Sequence, residues 1–453
     1  MPVRVPVRKR KVARHSRTGL KFKPLSVLHS GVFFALGILV CDMKNKLERN
    51  LPVLYGFSFF WLSMVIIPVI VPLFESRGLT LAQVFYLQAI FAGFVVLFEV
   101  PSGYIADVFG RKNALVAGSI FHGIGFTWLC FAEGFFELVI FEMIVGLGMS
   151  LLSGADLSLL YDSQAALKHS PARKMQGIAH LRFVKSMAEG LSALLGGFLI
   201  VYSFDATLLA NAIFAWGPLA MSFFLVEAPF SRMASNQPIG NLKRVVGHLF
   251  FQDKLLRLVC LNITFFSLST FYVVWLLQPY WRDLGVPLTM FGVLWAAQSF
   301  LFAMVSKMCQ PFEARYGARP VLLIMAALPI AGYFGMANSG GLVGILFSFT
   351  FFASRGLNQV ILTDALNSRV PSEFRATANS MTSFVFRGIY IFTGPLIGLI
   401  IDWKDMYFAL NSLGVICVFL FVLILIPLLR EIDRQNQATE KTETNQEVYE
   451  VET

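Results

Sequence analysis

The chain has 453 residues, of which 56% are hydrophobic and 14% charged, and phenylalanine alone occurs 46 times. Soluble domains carry about a quarter charged residues, and a soluble protein this apolar would expose adhesive patches over its surface. The composition therefore excludes an ordinary soluble protein and indicates a membrane protein. The net charge of +10 arises in residues 1–50, which hold 12 of the 37 basic and 2 of the 27 acidic residues. The balanced remainder gives no reason to expect nucleic-acid binding.

Residues 1–42 form a basic extension that ends in a short apolar run. The run "VLHSGVFFALGILVC" is shorter than the roughly 20 residues that a helix needs to cross a bilayer. We expect no true span in this extension. We hypothesise that the functional chain begins near Met43, where "MKNKLERN" provides a polar start for the first span.

Twelve apolar segments between residues 51 and 429 are long enough to span a membrane. They predict an all-α membrane protein with twelve transmembrane helices in two pseudo-symmetric six-helix halves, 43–227 and 255–430, joined by a linker at 228–254. Lys and Arg concentrate in alternate loops, which places those loops and both termini in the cytoplasm. We expect the acidic tail, 431–453, to be disordered.

Two internal matches indicate that the six-span unit is duplicated. Gly110 aligns with Gly317 at an offset of 207 residues, and both lie between the second and third span of their half. A second match, at an offset of 202, pairs Gly154 with Gly356, Asp162 with Asp364 and Lys185 with Arg387. Duplicated halves of this kind are typical of transporters whose site lies between them.

A polar segment between spans two and three contrasts with its apolar surroundings. It reads G-x-x-x-D-x-x-G-R-K, with Gly103, Asp107, Gly110, Arg111 and Lys112. In this position the pattern resembles the signature of the major facilitator superfamily. The twelve spans, the six-six division and a degenerate second copy extend the resemblance over about residues 51–430. It implies a secondary transporter working by alternating access, not an enzyme, and a monomer in a bacterial inner membrane.

The residue types of this segment suit a latch between two conformational states, which is the role that the resemblance implies. Gly103 permits close helix approach, and Gly110 permits a tight reversal. Asp107 can accept hydrogen bonds from a neighbouring helix N-terminus, and Arg111 and Lys112 can pair with acids. The alternative is an ordinary charged turn on the cytoplasmic side.

Several charged residues fall inside the predicted spans, where a charge at the bilayer centre costs about 2.5–3.5 kcal/mol on insertion scales. Either they form a polar cavity for substrate or protons, or they neutralise one another, as in a Lys185–Glu189 pair. Glu142 and Glu189 are the first candidates for proton coupling, because removal from water penalises the charged form of a carboxylate. The full set is Glu99 in span two, Glu142 and Asp156 in span four, Lys185 and Glu189 in span five, Arg355 in span ten and Arg387 in span eleven.

Three functions stay open from the sequence. The Phe-rich spans favour proton-coupled efflux of a drug-like compound or metabolite. Lys185 and Arg387 favour an organic-anion or siderophore-like carboxylate transporter if they face each other across a central cavity. Two antiporter patterns of the family are incomplete, because Glu142 occupies an arginine position and 192–197 lacks a proline. A non-transporting membrane sensor or receptor is the third possibility.

Other chemistry has no visible motif. The sequence contains no phosphate-binding loop and no zinc-protease or nucleophile-elbow pattern. The five cysteines are dispersed, without metal-ligand spacing. We therefore expect no cofactor and no metal, and we expect the bilayer, a small-molecule substrate and protons as partners.

Overall fold

A computed structural model describes residues 26–229, 253–370, 375–435 and 437, with the backbone alone at 26–43, Val100, Asp107 and 375–377. Most of the predicted linker and of the predicted tail lies outside these residues. The described residues from Leu47 onward pack as one unit, and the account below concerns that unit.

The described chain folds into helices. In chain order they are α1 Ser26–Leu62, α2 Ile70–Ser76, α3 Leu81–Phe109, α4 Arg111–Leu129, α5 Phe135–Leu152, α6 Ala155–Ala166, α7 Pro171–Leu199, α8 Phe204–Ser222, α9 Lys254–Asp283, α10 Leu288–Tyr316, α11 Ala318–Asn338, α12 Gly341–Arg369, α13 Arg375–Trp403 and α14 Met406–Leu420. A π-helical turn, Phe421–Leu425, continues α14.

These helices make twelve spans, because α1 with α2 and α5 with α6 each form one broken span. Within the described residues, ten spans are long and apolar enough to cross a membrane by length and composition. The other two are α4 and α7. Helix α7 carries a polar stripe that includes Lys185 and Glu189, which lowers its mean hydropathy, and it packs against the opposite half. The predicted twelve-helix fold in two halves is confirmed.

The two halves meet along two helix pairs that the repeat relates to each other. Helix α3 packs along α13, and α7 packs along α10. Each pair joins the second span of one half to the fifth span of the other, as a pseudo-two-fold axis requires. We name the end of the bundle with the turns at 77–80 and 284–287 the upper end, and the end with Gly110 and Gly317 the lower end.

The halves share a core at the upper end and keep separate cores at the lower end. The upper cluster of buried side chains draws on both halves and includes Phe74 and Trp281. At the lower end, Leu159 belongs to a cluster of the first half and Leu362 to a cluster of the second. The structure is therefore a state that is closed at the upper end.

Glycines allow the opposing helices to touch at the upper end. A Cβ added at Gly292 on α10 would lie 2.7 Å from the Cα of Gly197 on α7. A Cβ at Gly398 on α13 would lie 2.7 Å from the Cα of Ala82 on α3, whereas one at Gly93, three turns further down α3, would meet only a side-chain tip at 4.0 Å. Close approach of backbones needs such small residues, and here they mark the closed end.

Pro68 interrupts the first span near the upper end. Proline lacks an N–H and its ring clashes with the preceding turn, so α1 ends at Leu62 and a short 3-10 turn, Ile67–Val69, leads into α2. Backbone polar groups freed within a membrane must find other partners. One of them, the Ile66 N–H, donates to the Asn211 side-chain oxygen on α8 at 3.1 Å.

Candidate functional site

A cavity of about 230 Å³ lies between the two halves beneath the closed upper end. Its walls come from spans of both halves, and they are mostly apolar, with seven aromatic rings among the nineteen lining residues. The rings are Phe91, Phe126, Phe141, Phe271, Trp275, Trp295 and Phe352. A mostly apolar concave site with a few polar groups is the usual form of a small-molecule site.

Glu142 on α5 is the buried acid of this cavity. Its side chain is 3% exposed, and its Oε1 accepts a hydrogen bond from the Gln88 Nε2 on α3 at 2.7 Å. Both residues line the cavity. The carboxylate is thus held between two helices of the first half, in the apolar wall where a solute would lie.

Glu189 and Arg355 bring one acid and one base to the same cavity from opposite halves. The Glu189 carboxylate and the Arg355 guanidinium carry opposite charges at the wall of the same cavity. The Arg355 guanidinium carbon also lies 5.7 Å from the centre of the Phe302 ring, within range of a cation–π interaction. Two acids and one base therefore line the cavity among its described residues.

Lys185 on α7 is held by Asp156 on α6. The Lys185 Nζ lies 2.6 Å from Asp156 Oδ2, and the Asp156 side chain is only 2% exposed. The Ser58 hydroxyl donates to the same oxygen at 3.2 Å. The lysine also lies over the Trp61 ring at 4.7 Å. The ion-pair partner of Lys185 is therefore Asp156 on another helix rather than Glu189, the acid that the neutralisation alternative gave as its example.

Arg387 on α13 and Glu99 on α3 carry opposite charges on two helices that pack along each other at the boundary between the halves. The guanidinium carbon is 5.9 Å from the centre of the Phe91 ring, which lines the cavity. Neither Arg387 nor Lys185 lines the cavity itself. The lining of this cavity therefore does not bring the two bases face to face, and the Lys185–Asp156 pair fits the alternative in which such charges neutralise one another.

The motif residues form a tight turn that a distant acid stabilises. Gly110 has φ +98°, a conformation that only glycine adopts readily. The Glu227 carboxylate accepts from the backbone N–H of Arg111 at 2.9 Å and of Lys112 at 2.8 Å. An acid at the first turn of a helix meets free N–H groups and the positive end of the dipole. The Arg111 side chain forms an ion pair with Asp162 at the end of α6.

These contacts lie within the first half. Gly103 has open space where a Cβ would stand, and the Asp107 side chain lies outside the described residues. In the second copy, Gly317 makes the same kind of turn with φ +82°. There Arg319 pairs with Asp433 through atoms 3.0 Å apart, so a side-chain pair replaces the cap that Glu227 provides.

Sequence reasoning missed Gln88, Gln278 and Glu227. The first two line the cavity, and their amides bridge separate helices. A lone glutamine in an apolar run does give a signal, because its amide needs partners that the run does not supply. Glu227 follows the sixth span at the same end as the motif, and that position is the signal that was available.

The chain matches the sequence profile of the Major Facilitator Superfamily over residues 53–389. It is 22% identical to the uncharacterised MFS-type transporter YxaM of Bacillus subtilis over 388 residues, which cover 82% of this chain and 93% of YxaM.

Two other relatives match over shorter stretches. An uncharacterised MFS-type transporter of Salmonella typhimurium is 30% identical over 187 residues, 38% of this chain and 43% of that protein. The multidrug resistance protein MdtH of Aeromonas salmonicida is 26% identical over 177 residues, 39% of this chain and 41% of MdtH. The chain thus spans less than half of these two relatives.

Solved structures share the fold at low sequence identity. A point mutant of the nucleoside transporter NupG has a TM-score of 0.70 and 12% identity, covering 83% of this chain and 99% of that one. A D-xylose–proton symporter has a TM-score of 0.66 and 14% identity, covering 84% and 97%.

Proposed function

Since this chain belongs to the major facilitator superfamily, we propose that it is a secondary transporter moving a small, largely aromatic organic solute by alternating access, coupled to protons through Glu142. The observation that carries the proposal is Glu142 itself. It is a buried carboxylate at the cavity wall with a single described hydrogen bond, from Gln88. A desolvated carboxylate whose environment changes between two states can take up a proton in one and release it in the other.

The cavity lining supports a drug-like solute. Aromatic rings offer large contact areas and attract the positive edges of other rings. Cationic groups of a solute would gain from the ring faces and from the two lining acids. The multidrug resistance protein MdtH is among the relatives, which agrees with such a solute. The direction of movement expected from this class is efflux.

Arg355 supports a second candidate, an organic-anion or siderophore-like carboxylate transporter. It lines the cavity from the second half and is the base there that could bind a carboxylate. Glu189 also lines the cavity. Its carboxylate competes with a solute carboxylate for the positive charge of Arg355. We therefore rank the anion transporter below the drug-like one, and a sensor without transport below both.

The membrane setting completes the proposal. We place the lower end in the cytoplasm of a bacterial inner membrane, because Lys and Arg concentrate in the loops of that end. Residues 43–227 and 255–430 are then the two moving halves of a monomer. The motif turn and its Glu227 cap keep the lower end of the first half rigid while the halves rock.

Transport by purified protein in proteoliposomes tests the proposal. An imposed pH gradient should drive accumulation of a solute from a panel of aromatic cations and carboxylates. Glu142→Gln should lose the gradient-driven accumulation, because the amide cannot exchange a proton, while keeping solute exchange without a gradient. Glu133→Gln, at an exposed acid in the turn before α5, is the matched control and should transport normally.

The outcomes separate the candidates. Accumulation by Glu142→Gln with the pH dependence of the natural protein would remove Glu142 from the coupling. Carboxylate flux that Arg355→Gln abolishes would favour the anion transporter. Binding without net transfer of any solute in the panel would favour the sensor.

A further inference from the structure

Gln278 on α9 joins the two halves at the roof of the cavity. Its side chain is fully buried and lines the cavity. The amide nitrogen donates to the Ile67 carbonyl at 3.0 Å, and the amide oxygen accepts from the Val71 N–H at 2.9 Å. One side chain therefore bridges the Ile67 carbonyl and the Val71 N–H, which would bond to each other in a continuous α-helix but are separated here by the 3-10 turn that contains Pro68.

A second polar contact lies one helical turn farther out. Arg282 follows Gln278 by four residues on α9, and Glu75 follows Val71 by four residues on α2, so each pair shares a helix face. Arg282 and Glu75 form an ion pair with two contacts, of which Nη2 to Oε1 measures 3.1 Å. We call these two contacts rungs: the inner rung is Gln278 with Ile67 and Val71, and the outer rung is Arg282 with Glu75. Both connect α9 with the segment that begins α2.

Each rung includes a contact between residues that are 207 positions apart, Val71 with Gln278 and Glu75 with Arg282. This separation equals the offset that aligns Gly110 with Gly317 in the internal repeat. Equivalent positions of two halves can touch each other only where the pseudo-two-fold axis passes between them. The rungs therefore stand on that axis, where a rocking motion that opens the upper end must separate them.

We propose that Gln278 is the positioning residue that holds the broken segment of the first span as the roof of the cavity, and that Gln278 with the Glu75–Arg282 pair locks the upper end. The segment contributes Met64, Ile67 and Ile70 to the cavity lining. A solute that presses on these side chains acts directly on the backbone that Gln278 holds. Opening of the upper end breaks both bonds of the amide, and the Glu75–Arg282 pair adds a weaker, more exposed lock outside it.

Labelling of a buried reporter cysteine tests the lock without any solute or gradient. The reporter is Ser192→Cys, at a cavity-lining position that is 5% exposed, in a chain whose natural cysteines are replaced by alanine. A membrane-impermeant maleimide is applied to each face of sealed vesicles. Glu133→Cys, in an exposed turn of the upper end, identifies the upper face.

Gln278→Met removes the amide and keeps the shape of the side chain. We expect labelling of the reporter from the upper face to become about tenfold faster, since two buried hydrogen bonds of the closed state are lost. Gln298→Met is the matched control. Gln298 is equally buried, but it bonds to Ser348 within the second half at 2.8 Å, so this variant should leave the labelling rate unchanged.

The outer rung gives an independent test if Gln278→Met folds poorly. Glu75→Arg or Arg282→Glu alone should speed labelling about threefold, as expected for a partly exposed ion pair. The double reversal, Glu75→Arg with Arg282→Glu, should restore the slow rate. Unchanged labelling in Gln278→Met, an equal rise in Gln298→Met, or no restoration in the double reversal would overturn the lock.

The lock rests on the proposed function in one respect: it affects transport only if the protein works by alternating access. A protein that failed every flux test could still show the labelling pattern expected of the lock. A protein that transports solute but labels no faster with Gln278→Met would keep its proposed function and lose this inference.

Discussion

The two halves neutralise equivalent bases in different ways. In the first half, Lys185 pairs with Asp156 at 2.6 Å, so the charge is satisfied inside the half. The repeat aligns Lys185 with Arg387 and, at the same offset, Asp156 with Asn358. An amide thus stands where the second half would need an acid, and Arg387 instead lies near Glu99 of the first half.

A serine contacts each of these two aligned residues, although Ser58 and Ser267 are 209 residues apart and do not align at either repeat offset. Ser58 donates to Asp156 at 3.2 Å in the first half. In the second half, the Asn358 side-chain nitrogen donates to the Ser267 hydroxyl, also at 3.2 Å. At the aligned positions Asp156 and Asn358, the halves therefore differ by one charge. The first half has an acid beside its base, whereas the second half has an amide at the position aligned with that acid.

Removal of Lys185 should give the largest change in stability among the variants that test this difference between the halves. Lys185→Met leaves the buried Asp156 without its partner, and breaking a buried ion pair from one side costs about 3–5 kcal/mol. We expect a lower midpoint of thermal unfolding, followed by tryptophan fluorescence in detergent. Adding Asp156→Asn, which copies the amide of the second half, should recover most of the loss. Equal midpoints for the single and double variants would contradict the pairing.

The two serines should differ by a smaller amount. Ser58→Ala removes a hydrogen bond to a charged acceptor, worth about 1.5–3 kcal/mol, whereas Ser267→Ala removes a neutral one, worth about 0.5–1.5 kcal/mol. We expect Ser58→Ala to lower the unfolding midpoint further than Ser267→Ala. The reverse order would contradict the stronger hydrogen bond assigned to Ser58.

Restoring the missing acid should give the smallest effect. Asn358→Asp offers Arg387 a partner inside its own half. A double-mutant cycle of Glu99→Gln and Arg387→Gln should show a coupling of about 0.5–1 kcal/mol in the natural protein. In the Asn358→Asp background we expect the coupling to approach zero. A coupling of the same size in both backgrounds would show that an acid introduced at position 358 does not compete with Glu99 for Arg387.

Sequence periodicity identified the charged helix faces but not their partners. Lys185 and Glu189 stand four residues apart on α7, the spacing of an ion pair on one helix. Asp156 is the actual partner. Gly154, with φ +84°, breaks the fourth span, so that Asp156 lies in the first turn of a separate helix, α6. The aligned Gly356 lies inside the continuous α12, so aligned glycines do not imply equivalent helix geometry.

The membrane class, the twelve spans, the duplication and the motif follow from the sequence, because each depends on local composition and on spacing along the chain. Hydrophobic length specifies a span, and a repeat offset specifies which residues correspond. The same offset, 207 residues, reappears in the contacts of Gln278 and Arg282 with the first span.

Only the tertiary structure decided which polar groups line the cavity and which end is closed. A side chain's helix face can be derived from its position, but its partner depends on helices that are distant in sequence and on the breaks at Pro68 and Gly154. Lys185 pairs with Asp156 and does not line the cavity, whereas Gln88 and Gln278 line it and bond to groups on other spans. The reason is that a polar group removed from water goes where its charge or its hydrogen bonds are satisfied, and in this protein those partners lie on other spans.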